Sequence, residues 1–412
     1  MREDWIEVLL PDVCEIKDNL RKPINNKERS ERMQGKSIEE LYPYYGATGK
    51  VGYIDDYLTD GEFVLVGEDA APFLDYTKDV AYIIKGKAWV NNHAHILKSY
   101  FNDKYLCHYL NQFPYKDYVS GTTRLKLTQG AMKRMPVKLA PLPEQRAIVS
   151  KIEQLFSEMD NGIANLKTAQ EQLKVYRQAV LKKAFEGDYK LERFDKVAEI
   201  KRGKSKHRPR NDKSLFGGKY PFIQTGEVKA VNGGVINSYQ QTYSEKGLAQ
   251  SKLWPKGTLC LTIAANIADT AFLGFDACFP DSIVGIIADE NILNHKYLNF
   301  YIQKIKIEID SKASATAQKN INVGILEKLD IPIPSLDQQT LINEQIESNF
   351  SVCDKIEETI TSTLQKAEAL RQSILKKAFA GELLTEAEIT ACKKEKDWNP
   401  AGELLKRIKM KE

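Results

Sequence analysis

The chain has 412 residues, 42% hydrophobic and 28% charged, so it can bury a sizeable core and is not disordered throughout. At about 150 residues per domain there is room for two or three domains. The net charge of +4, from 60 Lys+Arg against 56 Asp+Glu, neither demands nor excludes nucleic acid; clustering of the cations is what matters. No stretch reaches the roughly 18 apolar residues of a membrane span, so no membrane partner is expected. The start, Met1-Arg2-Glu3-Asp4-Trp5, has no apolar signal region, and a cytoplasmic location is expected. The six cysteines are scattered without a CxxC pair, which predicts reduced thiols rather than a zinc site or disulfide framework.

Residues 1–140 read as strand-rich. Phe63-Val64-Leu65-Val66 and Val80-Ala81-Tyr82-Ile83-Ile84 are short apolar runs, and a helical pattern is confined to 103–112. A basic loop spans 21–36, with Arg21, Lys22, Lys27, Arg29, Arg32 and Lys36 against Glu28 and Glu31. In Asn91-Asn92-His93-Ala94-His95 no Cys or carboxylate stands at ligand spacing. A hydrogen-bonding histidine pair beside the Trp89-Val90 strand is expected there, and no metal.

Residues 141–187 predict a long helix. Positions 152, 156, 159, 163, 166, 170, 173, 177, 180 and 184 step by four and three, an a/d seam broken only by Gln170 and Arg177. Pro141 and Pro143 mark its start, and paired lysines before Gly187 mark its end.

Residues 188–334 echo the first segment. Val197-Ala198-Glu199-Ile200-Lys201 resembles Val13-Cys14-Glu15-Ile16-Lys17, and Tyr220-Pro221-Phe222 resembles Tyr42-Pro43-Tyr44. Tyr297-Leu298 with Tyr301 resembles Tyr105-Leu106 with Tyr109. Strands are expected at Thr258–Leu261 and Ile283–Ile287, with helix confined to 295–309. A second basic loop carries Lys201, Arg202, Lys204, Lys206, Arg208, Arg210 and Lys213 against Asp212 alone. Such clusters neutralise phosphates, or else form a solvated loop; recurrence at the same place in both halves favours the first. Ser120–Thr128 aligns with Ser314–Asn322, a polar stretch that suits phosphate or base contacts, or a helix-capping turn.

Residues 335–381 repeat the long helix. Leu181-Lys182-Lys183-Ala184-Phe185 returns as Leu375-Lys376-Lys377-Ala378-Phe379 at an offset of 194, and about a third of the aligned positions are identical without a gap. The seam recurs as Ile346, Phe350, Cys353, Glu357, Ile360, Leu364, Ala367, Arg371, Ile374 and Ala378, started by Ser335 and Asp337 and ended by Gly381. Two matching seams in one chain predict an antiparallel intramolecular coiled coil, with a globular segment at each end; the alternative is that each helix pairs with another chain. The fold class is therefore α+β: two similar mixed α/β domains joined by two long helices. A tail with a short helix, 382–412, has no counterpart after the first helix.

Catalytic signatures are missing. Gly35-Lys36-Ser37 and Gly203-Lys204-Ser205 lack the upstream glycine of a phosphate loop. Asp212 with Glu227-Val228-Lys229 is a loose nuclease-like spacing that charged sequences produce by chance. No enzyme, cofactor or metal is expected.

The duplicated Leu-x-x-Gln-x-x-Ile entries at Leu142 and Leu336 and the two Leu-Lys-Lys-Ala-Phe-x-Gly helix ends resemble the DNA-specificity subunit of type I restriction–modification systems. Pro-Leu-Pro-Glu-Gln-Arg at 141–146, Gly67-Glu68-Asp69-Ala70 and Pro255-Lys256-Gly257-Thr258 add to the match; the second helix departs from it with Asp337-Gln338-Gln339. The resemblance covers nearly the whole chain. It implies that 1–140 and 188–334 are target-recognition domains, each reading half of a split, asymmetric sequence in double-stranded DNA. It also implies two modification subunits that methylate adenine, docked on the helices, and restriction/translocase subunits that cut. The expected DNA contacts are Lys201, Arg202, Lys204, Lys206, Arg208 and Arg210 in the second half and Arg124 and Lys126 in the first. Gln224, Thr225 and Asn232 are the expected base readers, and Arg177 and Arg371 face the edge of the helix pair or a modification subunit. A stand-alone DNA-binding adapter without a methyltransferase is the other reading.

Overall fold

The computed structural model describes residues 2–264, 267–314 and 323–410, with no side chains described over 307–314. The chain forms two compact units: residues 1–167 with 361–412, and residues 168–360. Each is α+β, as expected. The second copy of the polar stretch, 315–322, lies outside the described residues.

The first unit is built on a four-stranded antiparallel sheet in the order Cys14–Ile16, Ala94–Ser99, Glu62–Gly67, Ala81–Lys85. Within the strand Glu62–Gly67 the run Phe63–Val66 is apolar throughout because it is covered on both faces. Val64 and Val66 join a core with Tyr105, Leu106 and Leu110, while Phe63 and Leu65 join a second cluster with Ile84 and Ile96. A three-stranded sheet, Gly49–Ile54, Tyr42–Gly46 and Trp89–Val90, stands beside it, and Ile6–Leu9 pairs with Pro136–Leu139.

The second unit repeats this plan with five strands: Ala198–Arg202, Ile283–Ala288, Leu259–Thr262, Thr270–Leu273 and Val235–Ile236. Leu191–Arg193 pairs with Asp330–Pro332, as Ile6–Leu9 does with Pro136–Leu139. The sequence echoes now have physical meanings. The Glu-Ile-Lys echo is the edge strand of each sheet. The tyrosine echo is a tether: Tyr105 and Tyr109 donate to the carbonyls of Lys138 and Pro136, and Tyr297 and Tyr301 to those of Pro332 and Asp330.

The long helices run Leu142–Ala184 and Leu336–Ala380, each about 65 Å at 1.5 Å per residue. Every predicted seam position is buried or half-buried. In the first unit Arg371 pairs with Asp160 at 2.5 Å; in the second Arg177 pairs with Asp354 at 2.6 Å. Residue numbers therefore rise along one helix as they fall along the other, which makes the intramolecular pair antiparallel. The aromatic ending each helix is spent on a different unit. Phe379 packs on Tyr105 and Tyr109, both at 5.1 Å, and Phe185 packs on Tyr297 and Tyr301 at 4.9 and 5.3 Å. Each entry glutamine turns back on the chain: Gln145 Nε2 donates to the Ala140 carbonyl, and Gln339 Nε2 to that of Pro334.

Some expectations need correction. Helix is not confined to 103–112 and 295–309. Residues Asn26–Met33, inside the expected basic loop, are helical, with Asn25 capping the Glu28 amide at 2.9 Å. That segment has strong helix formers but no apolar stripe, so periodicity does not reveal it. Thr225–Val231 is a further short helix. Gly381 is the left-handed cap expected, at φ +81°, but the first helix stops before Gly187, whose φ is not positive. Pro143 lies inside the first turn rather than ahead of it, where its missing N–H costs nothing. The tail holds two helices, Glu386–Lys393 and Ala401–Lys409, packed on the first unit through Ile389, Cys392 and Ala401. Lys151 binds Glu388 at 3.0 Å and Arg146 binds Asp397 at 2.7 Å; the equivalent positions in the second helix, Gln345 and Thr340, are uncharged. All six cysteines are free and buried. Among the described residues no helix is long and apolar enough to cross a membrane.

Candidate nucleic-acid interface

In the second unit the basic loop leaves the edge strand at Arg202. Lys201 pairs with Glu199 at 2.7 Å, Arg202 donates to the Asp281 carbonyl, and Arg210 binds the Asp281 carboxylate at 2.8 Å. Arg208 is satisfied by backbone alone, donating to the carbonyls of Ser205 and His207. Lys204, Lys206 and Lys213 are exposed, and among the described residues they and Arg208 have no carboxylate partner. The loop is shaped by Asp212, which accepts from His207 Nε2 at 2.8 Å and from the Ser214 amide and hydroxyl at 2.9 and 2.7 Å. These bonds, led by those from Ser214, hold its carboxyl far below the usual range. Glu227 instead accepts from the Gln224 amide at 3.1 Å, capping its own helix. The nuclease-like spacing is thus two separate structural carboxylates, and among the described residues no group of three metal-binding side chains occurs.

The loop borders a cavity of about 710 Å³, to which Arg210 and Lys213 contribute along with Gln224 and Gln241. Part of its wall is aromatic: Phe222 stacks on Tyr243 at 4.1 Å, with Phe216 against Tyr243 at 5.3 Å. Gln224 is exposed at the rim, and Thr225 beside it begins the short helix, half-buried. Asn232 is elsewhere. It follows the far end of that helix, accepts from the Thr270 amide at 3.4 Å, and borders a different cavity of about 610 Å³ with Arg177. The expected base readers are therefore divided, Gln224 and Thr225 on one side and Asn232 on the other.

In the first unit the expected contacts are tied down. Arg124 binds Asp69 at 3.0 Å and Lys126 binds Glu68 at 3.1 Å. His93 shares Asp69 at 2.7 Å, and Arg21 shares Glu68. His95, fully buried, bridges Asp18 at 2.7 Å and the Leu127 carbonyl at 2.9 Å. Burial alone would raise the Asp18 carboxyl; bonds from His95, the Ile96 amide and Gln129 outweigh it and hold it below its ordinary value. The histidines are the hydrogen-bonding pair expected, with carboxylates brought from distant sequence. Arg29 and Arg32 lie over the rings of Tyr44 and Trp89, both at 4.9 Å.

Arg177 and Arg371 make the same two contacts. Arg177 reaches Asp354 and lies over Phe350 at 5.1 Å; Arg371 reaches Asp160 and lies over Phe156 at 4.5 Å. Their side chains are 23% and 34% exposed, at the edge of the helix pair. Gln241 and the Phe222–Tyr243 stack were missed by sequence reasoning. Gln241 opposes Phe222 across a strand pair, and no local spacing announces that.

A family model described as the type I restriction modification DNA specificity domain matches residues 2–169 and again 186–366. A Haemophilus influenzae protein named as a type I restriction enzyme specificity subunit, S.HindORF215P, is 29% identical over 393 residues, covering 91% of this chain and 94% of that one. The Escherichia coli type I restriction enzyme EcoBI specificity subunit is 25% identical over 319 residues, 70% of this chain and 67% of that one. Among solved structures, the HsdS subunit from Thermoanaerobacter tengcongensis shares the fold at a TM-score of 0.58 and 18% identity, covering 93% of this chain and 98% of that one. A chain from a type I R-M system aligns at a TM-score of 0.69 and 18% identity, over 93% and 99% of the two chains.

Proposed function

The chain belongs to the family of type I restriction modification DNA specificity domains, and from that premise we propose that it is the sequence-reading subunit of such a system, acting on double-stranded DNA in the cytoplasm. Residues 1–140 and 188–334 are the two target-recognition domains. The helices 141–187 and 335–381 hold them and dock two modification subunits, and 382–412 is a tail. Each domain reads one half of a split asymmetric target. Partner subunits methylate adenine and, with restriction/translocase subunits, cut; this chain does no chemistry itself.

The observation that carries the reading is the duplication: one plan of edge strand, tyrosine tether and helix-end phenylalanine occurs twice, with different loops. Two similar readers with different loops suit two different half-sites. In the second domain Lys204, Lys206 and Arg208, which have no carboxylate partner among the described residues, are the primary phosphate contacts, and Lys201, Arg202 and Arg210 flank them. In the first, Arg124 and Lys126 exchange Asp69 and Glu68 for phosphate. Glu68 keeps Arg21 and Asp69 keeps His93, so the exchange leaves neither carboxylate without a partner. Gln224, Thr225 and Asn232 are the base readers, Asn232 from the rim of the separate 610 Å³ cavity. Arg177 and Arg371 set the edge on which a modification subunit docks.

The test is to map methylated adenines in the native host with and without this chain. Loss of one asymmetric, bipartite motif on deletion is expected. An unchanged methylation map, with DNA-binding chain that purifies free of any methyltransferase, overturns the proposal in favour of a stand-alone adapter.

A further inference from the structure

Resting on that DNA-reading function, we propose that the second unit reads an adenine through Gln224, and that Gln241 is the positioning residue that orients it. Gln224 Nε2 donates to Gln241 Oε1 at 2.8 Å, and both side chains are exposed on the rim of the 710 Å³ cavity. Among the described residues neither amide has another side-chain partner. An exposed glutamine ordinarily loses rotamer freedom when it is fixed. Here one amide already restrains the other before any ligand arrives.

The backbone beneath is restrained as well. The Gln224 amide is held by Glu227, and Gln241 lies opposite Phe222 in a strand pair locked by the buried Phe222–Tyr243 stack. With one N–H given to Gln241, Gln224 keeps a carbonyl oxygen and a second N–H. A neighbouring donor and acceptor on one planar group is the complement of the adenine major-groove edge, N6–H and N7. Guanine offers two acceptors there and calls for a double donor, and cytosine offers a donor alone. A neutral amide pair is also a poor phosphate ligand beside cations. Arg210 and Lys213, bordering the same cavity, supply the backbone contacts that bring the base edge to Gln224.

The experiment selects bound sequences from a randomised duplex library, using the full chain purified with the subunits that accompany it. The wild type is expected to require an A·T pair at one position of the half-site read by residues 188–334. Gln224→Met relaxes that position alone, by roughly tenfold or more, and leaves binding to random DNA unchanged. Gln224→Glu moves the preference toward C·G, since a carboxylate accepts from cytosine N4. Gln241→Met relaxes the same position; Gln241→Glu, which keeps the acceptor for Gln224, retains the adenine preference while weakening all sequences. Survival of the adenine preference in both methionine variants, or loss at a position that is not A·T, overturns this inference alone. A wild-type chain that selects no sequence overturns the DNA-reading function and this inference with it.

Discussion

Replacing Phe379 by Ala tests where the second long helix ends its work. Phe379 is 2% exposed and contacts the rings of Tyr105 and Tyr109 edge-on at 5.1 Å. Removing a buried phenylalanine costs about 3–5 kcal/mol, and each edge-to-face ring pair contributes about 0.5–1.5 kcal/mol of such a loss. Typical domains have about 5–15 kcal/mol in all. The first unit should therefore lose a large share of its stability, although Phe379 is far from residues 1–140 in sequence. Phe185→Ala should do the same to the second unit through Tyr297 and Tyr301. Amide hydrogen exchange by peptide reads this directly. Phe379→Ala should speed exchange about a hundredfold or more in the strands Glu62–Gly67 and Ala94–Ser99, and leave Leu259–Thr262 protected. Phe185→Ala should give the reverse. If Phe379→Ala loosens 259–288 and spares 62–99, the antiparallel assignment of helix ends to units is wrong.

Other outcomes follow from the same contacts. Neutralising Lys204, Lys206 and Lys213 together should lower the slope of log affinity against log salt by about 2–3, at roughly 0.9 per phosphate contact, without changing the preferred sequence; an unchanged slope makes the loop a bystander. Arg177→Ala or Arg371→Ala removes a partly exposed ion pair and a ring contact, an expected loss of about 1–2 kcal/mol in denaturant unfolding, and a neutral result would mean the seam carries these residues without using them. His108 is packed edge-on against Phe156, and burial, only partly offset by Glu153 and reinforced by Lys104, pushes its imidazole down to about 4. The unfolded chain then binds this proton at higher pH than the folded one. The stabilisation is complete above about 6.5 and is lost as pH falls through the window down to about 4, with a ceiling of about 3 kcal/mol. Thermal melts from pH 7 to 4 should fall less steeply for His108→Phe than for the native chain; equal slopes would refute this.

The long helices were legible because their signal is local and repeated. A seam of fours and threes, written twice at one offset, determines helix, length and partner face without any distant contact. The strand runs were legible for a similar reason, since a strand covered on both faces must be apolar throughout. The helix Asn26–Met33 was hidden because it has no apolar stripe; Arg29 and Arg32 are held by Tyr44 and Trp89 from other strands. The cation clusters could be read, but not which cations are spent. Arg124 and Lys126 look as free in the sequence as Lys204 and Lys206, and only folding brings Asp69 and Glu68 against the first pair. Likewise Gln224 could be singled out by type, while its partner Gln241 could not. Charge pairing and amide pairing are set by atoms within about 3 Å, and for side chains far apart in sequence that distance is decided by strand register and loop path. The duplicated scaffold is readable from residue order, because its periodicity is carried by neighbours along the chain. Tertiary structure alone decided which polar groups remain unsatisfied, because that depends on what the fold brings to them from elsewhere.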